Sequence, residues 1–203
     1  MSEHYYSHTP TSKTDEQKHT IVVANQTLSI WTDHGVFSKT GLDFGSRTLL
    51  ETIKQDMILP KNPAILDVGC GYGPIGLTLA KAYSDAFVTM VDINERAVHL
   101  TEKNIHENKV NHAKVLQSNV YEAITEQFDM IVSNPPIRAG KKVVHHILEE
   151  SISYLKPNGY IVIVIQKKQG APSAQKKMED VFGNVTLLNR DKGYWILCSQ
   201  LKG

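Results

Sequence analysis

The sequence predicts an α/β fold built on a seven-stranded, mostly parallel sheet with an antiparallel last strand and helices on both faces. Short apolar segments alternate with helical patterns from residue 64 to residue 182, and this alternation is typical of a parallel sheet covered by helices. The final apolar segments, 185–188 and 194–199, leave no room for a crossover helix, so they must pair antiparallel. Two further apolar segments near the N-terminus indicate a small β-hairpin extension.

The N-terminal part of the chain predicts a polar tail, a hairpin and one helix. Residues 1–18 are polar and show no repeat or packing face, so we expect them to be frayed. The apolar segments 21–24 and 28–31 flank Asn25-Gln26 in the manner of a short hairpin, and a helix is expected near 46–55.

The rest of the chain gives the elements of the sheet in a regular order. The predicted strands are 64–68, 87–91, 113–117, 128–132, 160–165, 185–188 and 194–199. The predicted helices are 74–82, 95–107, 142–155 and 173–182. We expect a single domain over 19–203, with 19–58 covering the ligand site.

The first predicted strand of the sheet carries Asp67 and runs directly into a glycine-rich turn, Gly69-Cys70-Gly71-Tyr72-Gly73. Because the glycines lack a Cβ, the backbone can adopt positive φ and a ligand can lie directly against it. Pro74 then suits the first position of a helix, where its missing N–H group costs nothing. The segment therefore predicts a pocket for a nucleotide-like ligand.

The glycine pattern is compatible with two cofactors. The segment 71–76 fits the G-x-G-x-x-G of dinucleotide-binding folds, in which a pyrophosphate lies on the helix N-terminus. Read from Asp67 as D-x-G-x-G-x-G, the pattern instead offers a carboxylate to a cationic amine, such as the ammonium group of S-adenosylmethionine. We favour the second interpretation because S-adenosylmethionine has no pyrophosphate to neutralise.

Asp92 indicates a nucleoside with either cofactor. The apolar segment 87–91 predicts a buried strand that ends on Asp92, about twenty residues beyond the glycines, where such folds place a carboxylate on ribose hydroxyls. Asp92 or Asn94 could also cap the helix that follows. We assign the cap to Asn94 and the ribose contact to Asp92.

A third apolar strand, 128–132, ends on Ser133-Asn134-Pro135-Pro136, which predicts an acceptor site for an NH₂ group. A residue before proline is extended, so Asn134 is presented to a ligand. The Asn134 amide oxygen and the Pro135 carbonyl can then accept the two hydrogens of one amine. Such bonds would localise the lone pair of a purine amine. Because Asn134 is neutral, it can orient and polarise the amine but cannot act as a base.

These segments, in this order and spacing, resemble the class I S-adenosylmethionine-dependent methyltransferases that act on amino or amide nitrogens. The matching residues are 67–73, Asp92, Asn119 and Asn134-Pro135-Pro136. Further segments are similar to the RsmC-like family, the guanine-N2 methyltransferases of small-subunit ribosomal RNA. These segments are 35–38, 42–46, 134–140 and 170–173.

The resemblance implies a Rossmann-like sheet, S-adenosyl-L-methionine as the cofactor and methyl transfer to the N2 amine of a guanine in ribosomal RNA. The implied catalytic residues are Asn134, Pro135 and Pro136. The cofactor-binding residues expected at the matching positions and beside them are Asp67, Gly69, Cys70, Gly71, Gly73, Asp92, Ile93, Ser118, Asn119 and Asn134. Asn119 corresponds to the position that meets the adenine amino group, although a plain loop residue is a comparable interpretation.

Positive charge is clustered near the expected pocket, although the net charge is only +1. One cluster directly follows the Asn-Pro-Pro segment and consists of Arg138, Lys141 and Lys142. The other flanks the loop 170–173 after the fifth strand of the sheet and consists of Lys167, Lys168, Lys176 and Lys177. Ligands of open α/β sheets bind at the carboxyl ends of the strands, so both clusters should flank the same pocket and could meet RNA phosphates. Solvated lysines at helix starts explain the same pattern equally well.

The Asn-Pro-Pro segment does not supply an aromatic residue that could stack on the target base. The Asn-Pro-Pro segment is followed by Ile137. The adenine-N6 and protein-glutamine methyltransferases usually carry an aromatic residue there, and many guanine-N2 enzymes also have one. We include Ile137 among the substrate-binding residues and name Phe37 as the candidate for stacking.

Composition sets the class of protein. A length of 203 residues with 41% hydrophobic residues fits one globular domain. The two cysteines form neither a disulfide framework nor a metal cluster, and the polar start lacks a signal sequence, so we expect a cytoplasmic protein. The longest apolar run, 160–165, is too short to span a bilayer, and the nine histidines lack the spacing of metal ligands. We therefore expect neither membrane association nor a metal.

Other functions stay open at this stage. Adenine-N6 and protein-glutamine methyltransferases share the Asn-Pro-Pro segment. An NAD-dependent oxidoreductase fits the glycine pattern, although no hydride-relay residue can be assigned. The sequence also leaves open the oligomeric state and the nucleotide that is methylated.

Overall fold

A computed structural model describes residues 15–33, 41–135 and 140–203. The strands are β1 (Gln17–Val23), β2 (Gln26–Thr32), β3 (Ala64–Val68), β4 (Phe87–Asp92), β5 (Ala113–Gln117), β6 (Phe128–Ser133), β7 (Leu155–Gln166), β8 (Thr186–Asp191) and β9 (Tyr194–Gln200). The helices are α1 (Phe44–Asp56), α2 (Pro74–Ala82), α3 (Glu95–Glu107), α4 (Gly140–Tyr154) and α5 (Ala171–Phe182). A 3-10 turn, Lys167–Gln169, follows β7.

Seven strands form one sheet in the order β5-β4-β3-β6-β7-β9-β8. The strands β3 to β7 are mutually parallel, while β9 lies between β7 and β8 and is antiparallel to both. Lys192 and Gly193 turn the chain from β8 into β9 with φ of 45° and 83°, the left-handed values that two-residue hairpin turns require. This topology confirms the predicted Rossmann-like sheet with an antiparallel last strand.

The sheet is covered on both faces, as expected for parallel strands with continuous apolar sequences. Successive residues of β3 show this directly, because Ile65 packs with apolar residues of α1, α2 and α3, while Leu66 packs with those of α4 and α5. Both side chains are completely buried. The central strands are therefore held firmly, and their carboxyl ends form a rigid base for a site.

The N-terminal hairpin forms a separate two-stranded sheet from β1 and β2. Its turn is Ala24-Asn25, with φ of 49° and 61°, one residue before the predicted turn. The strand β1 begins at Gln17, so the last two residues of the predicted polar tail belong to the hairpin. Side-chain hydrogen bonds join the hairpin to α2 and α3, for example from Lys81 Nζ to the Thr27 carbonyl at 2.7 Å.

The remaining element boundaries differ from the predictions by a few residues. Helix α1 begins at Phe44 because Asp43 caps it, with the carboxylate accepting a hydrogen bond from the Ser46 N–H at 3.0 Å. Strand β7 already begins at Leu155, where it pairs with Phe128 of β6. In the part of the chain that the structure describes, no helix is both long and apolar enough to cross a bilayer.

Candidate active site

Three neighbouring strands bring the predicted polar residues together. The strand β3 pairs in parallel with β4 on one side and with β6 on the other. Their carboxyl ends lead to the glycine turn, to Asp92 and to Asn134, respectively. Parallel strands end on the same side of the sheet, so these residues lie around one site.

The glycine turn has the backbone conformation that its sequence predicts. Gly69, Gly71 and Gly73 have φ of 73°, 60° and 90°, values that residues with a Cβ rarely adopt. A Cβ on Gly73 would lie 2.9 Å from Thr101 Cγ2, so the space around this position is closed as well. The Gly69 and Cys70 N–H groups both donate to the Val91 carbonyl at 2.9 Å, which joins the turn to β4.

Asp92 shapes the turn as well as facing the site. Its Oδ2 accepts a hydrogen bond from the Gly71 N–H at 2.9 Å, and its Oδ1 accepts one from the Asn94 N–H at 2.9 Å. Burial raises the pKa of the Asp92 carboxyl, and these backbone hydrogen bonds oppose the shift. Asn94 caps α3 by accepting from the N–H groups of Arg96 and Ala97, which confirms the predicted cap.

The Asp67 side chain lies beneath the surface of the site and not at its opening. It is completely buried, and its Oδ2 accepts a hydrogen bond from the Gly76 N–H at 2.9 Å, which joins β3 to α2. Among the described residues, nothing donates to its Oδ1. Burial raises the pKa of Asp67 to about 7, and the nearby Asp92 charge adds to the shift. A buried carboxyl oxygen without a donor is suited to a cationic or hydrogen-bonding ligand group.

Two further predicted cofactor residues line the same end of the sheet. The Ser118 N–H donates to the Asp92 carbonyl at 2.9 Å, and the buried Ser118 hydroxyl is held by the Val120 carbonyl at 3.0 Å. Ile93 is half-buried beside Asp92, and its carbonyl accepts from Gln117 Nε2 at 3.1 Å.

The other two predicted cofactor residues are less clearly placed for binding. Asn119 is exposed, and its Nδ2 donates to Glu122 Oε1 at 2.8 Å. The Cys70 thiol is buried beside the Thr101 hydroxyl at 3.8 Å, and burial raises its pKa above the usual range. Cys70 therefore contributes its backbone to the turn, while its side chain packs underneath.

Hydrogen bonds fix the orientation of the Asn134 side chain. Its Nδ2 donates to the Ser46 hydroxyl at 2.9 Å and lies 3.3 and 3.4 Å from the two oxygens of Asp43. A carboxylate can only accept, so the nitrogen must face Asp43 and the amide oxygen must point away. Within the described part of the chain, no donor occupies that oxygen. It is therefore available to a ligand. The Pro135 carbonyl belongs to the next residue and is a second hydrogen-bond acceptor.

A pocket open to solvent adjoins this amide. Its lining residues are Asp43, Asn134, Pro135, Gly140, Lys141, Val144, Val164, Ile165, Gln166, Gln169 and Tyr194. The pocket lies at the carboxyl ends of β6 and β7, beside the start of α4. Its lining combines apolar side chains with a few polar ones, which suits an aromatic group with hydrogen-bonding atoms.

Tyr194 forms one wall of this pocket. Its ring lies against the backbone of Gly45, where an added Cβ would come within 2.8 Å of the ring. The ring of Phe44 packs at an angle of 48° to that of Tyr194, with 5.6 Å between the centroids. Only glycine therefore fits at position 45, between α1 and β9, without displacing the Tyr194 ring.

The predicted substrate residues are only partly described. Lys141 lines the pocket, and the exposed Lys167 and Lys168 lie in the 3-10 turn that also carries Gln169. The remaining predicted site residues lie outside the described residues; they are Phe37, Pro136, Ile137 and Arg138.

Sequence reasoning missed Asp43, Ser46 and Tyr194 as site residues. The segment 42–46 did carry part of the family resemblance, and Asp43 followed by Ser46 is a helix-capping pattern. Neither signal indicates that both side chains would hold Asn134, 91 and 88 residues away. Tyr194 reaches the pocket only because β9 is inserted beside β7.

The site fits a nucleoside cofactor with an ammonium group. The glycine turn presents backbone at positive φ, Asp92 ends β4 in contact with that turn, and Asp67 has a buried oxygen with no donor among the described residues. No group of three or more His, Cys, Asp or Glu residues in 15–33, 41–135 and 140–203 is arranged to hold a metal ion.

Comparison with known proteins shows relatives in both sequence and structure. A family model described as methyltransferase small domain matches residues 27–198. A Bacillus subtilis protein, uncharacterized YbxB, is 46% identical over 199 residues, which cover 97% of this chain and 98% of that protein. Ribosomal RNA small subunit methyltransferase C of Erwinia tasmaniensis is 33% identical over 165 residues, which cover 79% of this chain and 46% of that enzyme.

Among solved structures, the T. thermophilus 16S rRNA N2 methyltransferase RsmC, in complex with AdoMet and guanosine, superposes with a TM-score of 0.84. The identity is 26%, and the match covers 95% of this chain and 52% of that chain. The chain thus spans about half the length of the RsmC enzymes that it matches.

Proposed function

The chain belongs to the methyltransferase small domain family and uses S-adenosylmethionine, and we propose that it methylates the N2 amine of a guanine in small-subunit ribosomal RNA. The relatives named as ribosomal RNA small subunit methyltransferase C support the RNA substrate. The RsmC structure with bound guanosine supports the base. A substrate of this kind would place the protein in the cytoplasm.

The orientation of Asn134 is the observation that carries this proposal. Asp43 and Ser46 hold its Nδ2, so the amide oxygen is available beside the Pro135 carbonyl. Two acceptors in this arrangement suit the two hydrogens of an exocyclic NH₂ group. Hydrogen bonds to both hydrogens favour a pyramidal nitrogen, whose lone pair is no longer delocalised into the purine ring.

The cofactor, when bound, supplies a methyl group on a positively charged sulfur. Asp92 would accept hydrogen bonds from its ribose, and the glycine turn would lie against it. The unsatisfied Asp67 oxygen would face its ammonium group, directly or through water.

The part that Asn134 plays would be electrostatic and geometric. Its amide has no proton to release to the substrate nitrogen and no basic site to take one, so the proton released from the amine would pass to water. The rate advantage would come from holding the amine in line with the methyl group and from stabilising its developing positive charge.

Exposed lysines around the pocket would bind the RNA backbone. Lys141 lines the pocket, while Lys167 and Lys168 lie in the neighbouring 3-10 turn. In contrast, Lys177 on α5 is 2.6 Å from Glu149 and is therefore already paired. The half-buried Tyr194 would provide an aromatic surface for the target base.

Transfer of tritium from labelled S-adenosylmethionine tests the proposal. Total RNA, DNA and protein from a strain that lacks this chain would each be incubated with the enzyme, and labelled RNA would be digested to nucleosides. We expect label in RNA of the small subunit and a single product, N2-methylguanosine. If the product is N6-methyladenosine or methylglutamine, guanine N2 is not the substrate. The chain would then act like the adenine-N6 or protein-glutamine methyltransferases, which share the Asn-Pro-Pro segment.

A further inference from the structure

Asp43 lies beside the residue that we propose grips the amine, and both residues line the same pocket. The two oxygens of its carboxylate are 3.3 and 3.4 Å from Asn134 Nδ2. The helix α1 fixes this carboxylate, because Oδ1 also accepts the capping hydrogen bond from the Ser46 N–H at 3.0 Å. Asp43 is half-buried, so its charge is partly shielded from bulk water.

The Asp43 carboxylate has capacity for one more hydrogen bond. A carboxylate offers about four acceptor positions. Oδ1 accepts from the Ser46 N–H, and the amide of Asn134 approaches both oxygens at the long end of hydrogen-bond distance. Oδ2 therefore has an acceptor position for a donor that enters the pocket.

A guanine carries a second hydrogen-bond donor beside its N2 amine, and both Asp43 and Asn134 line the pocket. Its N1–H lies next to the N2 amine on the same edge of the ring, so a base with its amine held by Asn134 presents N1–H to the neighbouring group. We propose that Asp43 accepts this N1–H and is thereby the residue that selects guanine. The inference rests on the proposed function, because it assumes that the gripped amine is N2.

The same carboxylate disfavours the competing amine substrates. In adenine the ring atom next to the N6 amine is an unprotonated nitrogen, and in a glutamine side chain the neighbour of the NH₂ group is a carbonyl oxygen. Both atoms carry lone pairs that would face the negative charge of Asp43. A contact between a partly desolvated carboxylate and an acceptor is unfavourable, and this repulsion adds to the specificity that shape alone provides.

Binding of nucleotides that differ at N1 tests this assignment. The probes are guanosine 5′-monophosphate, the 5′-monophosphate of 2-aminopurine riboside and adenosine 5′-monophosphate. Each would be titrated into protein saturated with S-adenosylhomocysteine, so that the cofactor site is filled, and followed by NMR. 2-Aminopurine keeps the 2-amino group, but its N1 is an acceptor instead of a donor.

The variants are Asp43→Asn and, as a matched control, Ser46→Ala. Asparagine is a good capping residue, so α1 should keep its start in Asp43→Asn. Its amide can donate to the N1 of 2-aminopurine, which the carboxylate cannot. Ser46→Ala removes the other partner of Asn134 Nδ2 and leaves Asp43 in the pocket.

We expect the parent and Ser46→Ala to bind the guanine nucleotide at least about 10-fold more tightly than the 2-aminopurine nucleotide, the scale of a hydrogen bond to a charged group. In Asp43→Asn the ratio should fall to within about threefold. An unchanged ratio in Asp43→Asn would show that Asp43 only positions Asn134, and the proposed guanine substrate would still stand. Binding of the adenine nucleotide as tight as that of the guanine nucleotide, or no guanine binding at millimolar concentration, would overturn the assignment.

The two ideas fail separately. If the tritium experiment yields N2-methylguanosine and the Asp43→Asn ratio does not change, only the selection by Asp43 is wrong. If the product is N6-methyladenosine, the proposed substrate itself is wrong.

Discussion

At the residue scale, Asp92 makes structural contacts at the position that we propose for a ribose contact. Its carboxylate accepts from the Gly71 and Asn94 N–H groups and so joins the middle of the glycine turn to the segment that follows β4. Each carboxylate oxygen keeps acceptor capacity beyond these bonds, and we propose that a ribose hydroxyl uses it. A change at Asp92 should therefore affect the cofactor before it affects the fold.

Asp92→Ala should weaken the binding of S-adenosylhomocysteine by about 1.5 to 3 kcal/mol, the scale of hydrogen bonds to a charged group. Calorimetric titration measures this change. Asp85→Ala is the matched control, because that carboxylate also accepts from a backbone N–H group, at 2.8 Å from Asn62 N, but lies outside the site. Equal affinities in the parent and a folded Asp92→Ala variant would remove Asp92 from the cofactor site.

Asp67 gives the protein without cofactor a characteristic dependence on pH. Burial raises its pKa from 3.8 to about 7, so between these values the folded state binds more protons than the unfolded state. The free energy of unfolding should therefore fall as the pH rises through this window, by up to about 1.4 kcal/mol per pH unit from this group. Asp92, whose pKa is also raised, acts in the same direction.

Urea unfolding at a series of pH values from about 4 to 8 tests this effect as a difference between the parent and Asp67→Asn. An amide oxygen can still accept from the Gly76 N–H, but it cannot titrate. We expect the variant to gain stability relative to the parent as the pH rises. Parallel pH profiles would mean that Asp67 is ionised at low pH despite its burial.

The site residues that could be predicted are those whose role depends on local chain geometry. Asp67, the glycines and Asn134 stand at strand ends next to turns, and these features are visible in a short stretch of sequence. The contact of Asp43 with Asn134 joins residues 91 positions apart, and no local pattern encodes it.

At the element scale, the hairpin is anchored by Asn104 in the last turn of α3 and by Asn108, which caps the C-terminus of that helix. Asn104 accepts from the Trp31 N–H at 2.7 Å and donates to the Trp31 carbonyl and, at 2.8 Å, to the Tyr72 carbonyl. Asn108 does the same for the N–H and carbonyl of Ser29, at 2.9 and 2.8 Å. The two amides thus satisfy the free edge of β2, and Asn104 also joins the hairpin to the glycine turn.

Asn104→Ala should lower the free energy of unfolding by about 2 to 4 kcal/mol, because it removes one buried and two partly buried hydrogen bonds to backbone groups. Asn108→Ala removes equivalent bonds at a partly exposed position, where water can replace them, and should cost about 1 kcal/mol. Urea unfolding measures both. Equal losses in the two variants would show that the buried link to Tyr72 adds nothing.

The elements themselves could be predicted from apolar periodicity, since each predicted strand and helix overlaps an observed one. Their ends depended on contacts that periodicity does not contain. The capping of α1 by Asp43 and the pairing of Leu155 with Phe128 are examples.

At the scale of the whole molecule, a nearly neutral protein presents an uneven charge distribution. Several lysines far from the site are neutralised by carboxylates, such as Lys114 by Glu126 and Lys156 by Asp129. Lys167 and Lys168 are exposed in the turn beside the pocket. RNA binding would therefore depend on where the exposed lysines lie more than on the net charge of the protein.

The double variant Lys167→Ala with Lys168→Ala should reduce the salt dependence of RNA binding. Each lost phosphate contact should lower the slope of log K against log salt by about 0.7 to 0.9. Lys114→Ala with Lys156→Ala changes the net charge by the same amount at the opposite ends of the strands and should leave the slope nearly unchanged. Equal slopes in the two double variants would mean that the turn does not bind phosphates.

The arrangement of the whole sheet was predictable only in part from the residues themselves. The short connection between the last two strands shows that they pair antiparallel, but their position in the sheet does not follow from it. The insertion of β9 between β7 and β8 brings Tyr194 to the pocket, and this depends on the packing of the complete sheet.

The most direct measurement of the proposed chemistry is the single-turnover rate of RNA methylation by Asn134→Ala at saturating S-adenosylmethionine. Removal of one preorganised acceptor should lower this rate by about two to three orders of magnitude, while calorimetry shows nearly unchanged affinity for S-adenosylhomocysteine. A rate near that of the parent would contradict the role of Asn134 in gripping the amine.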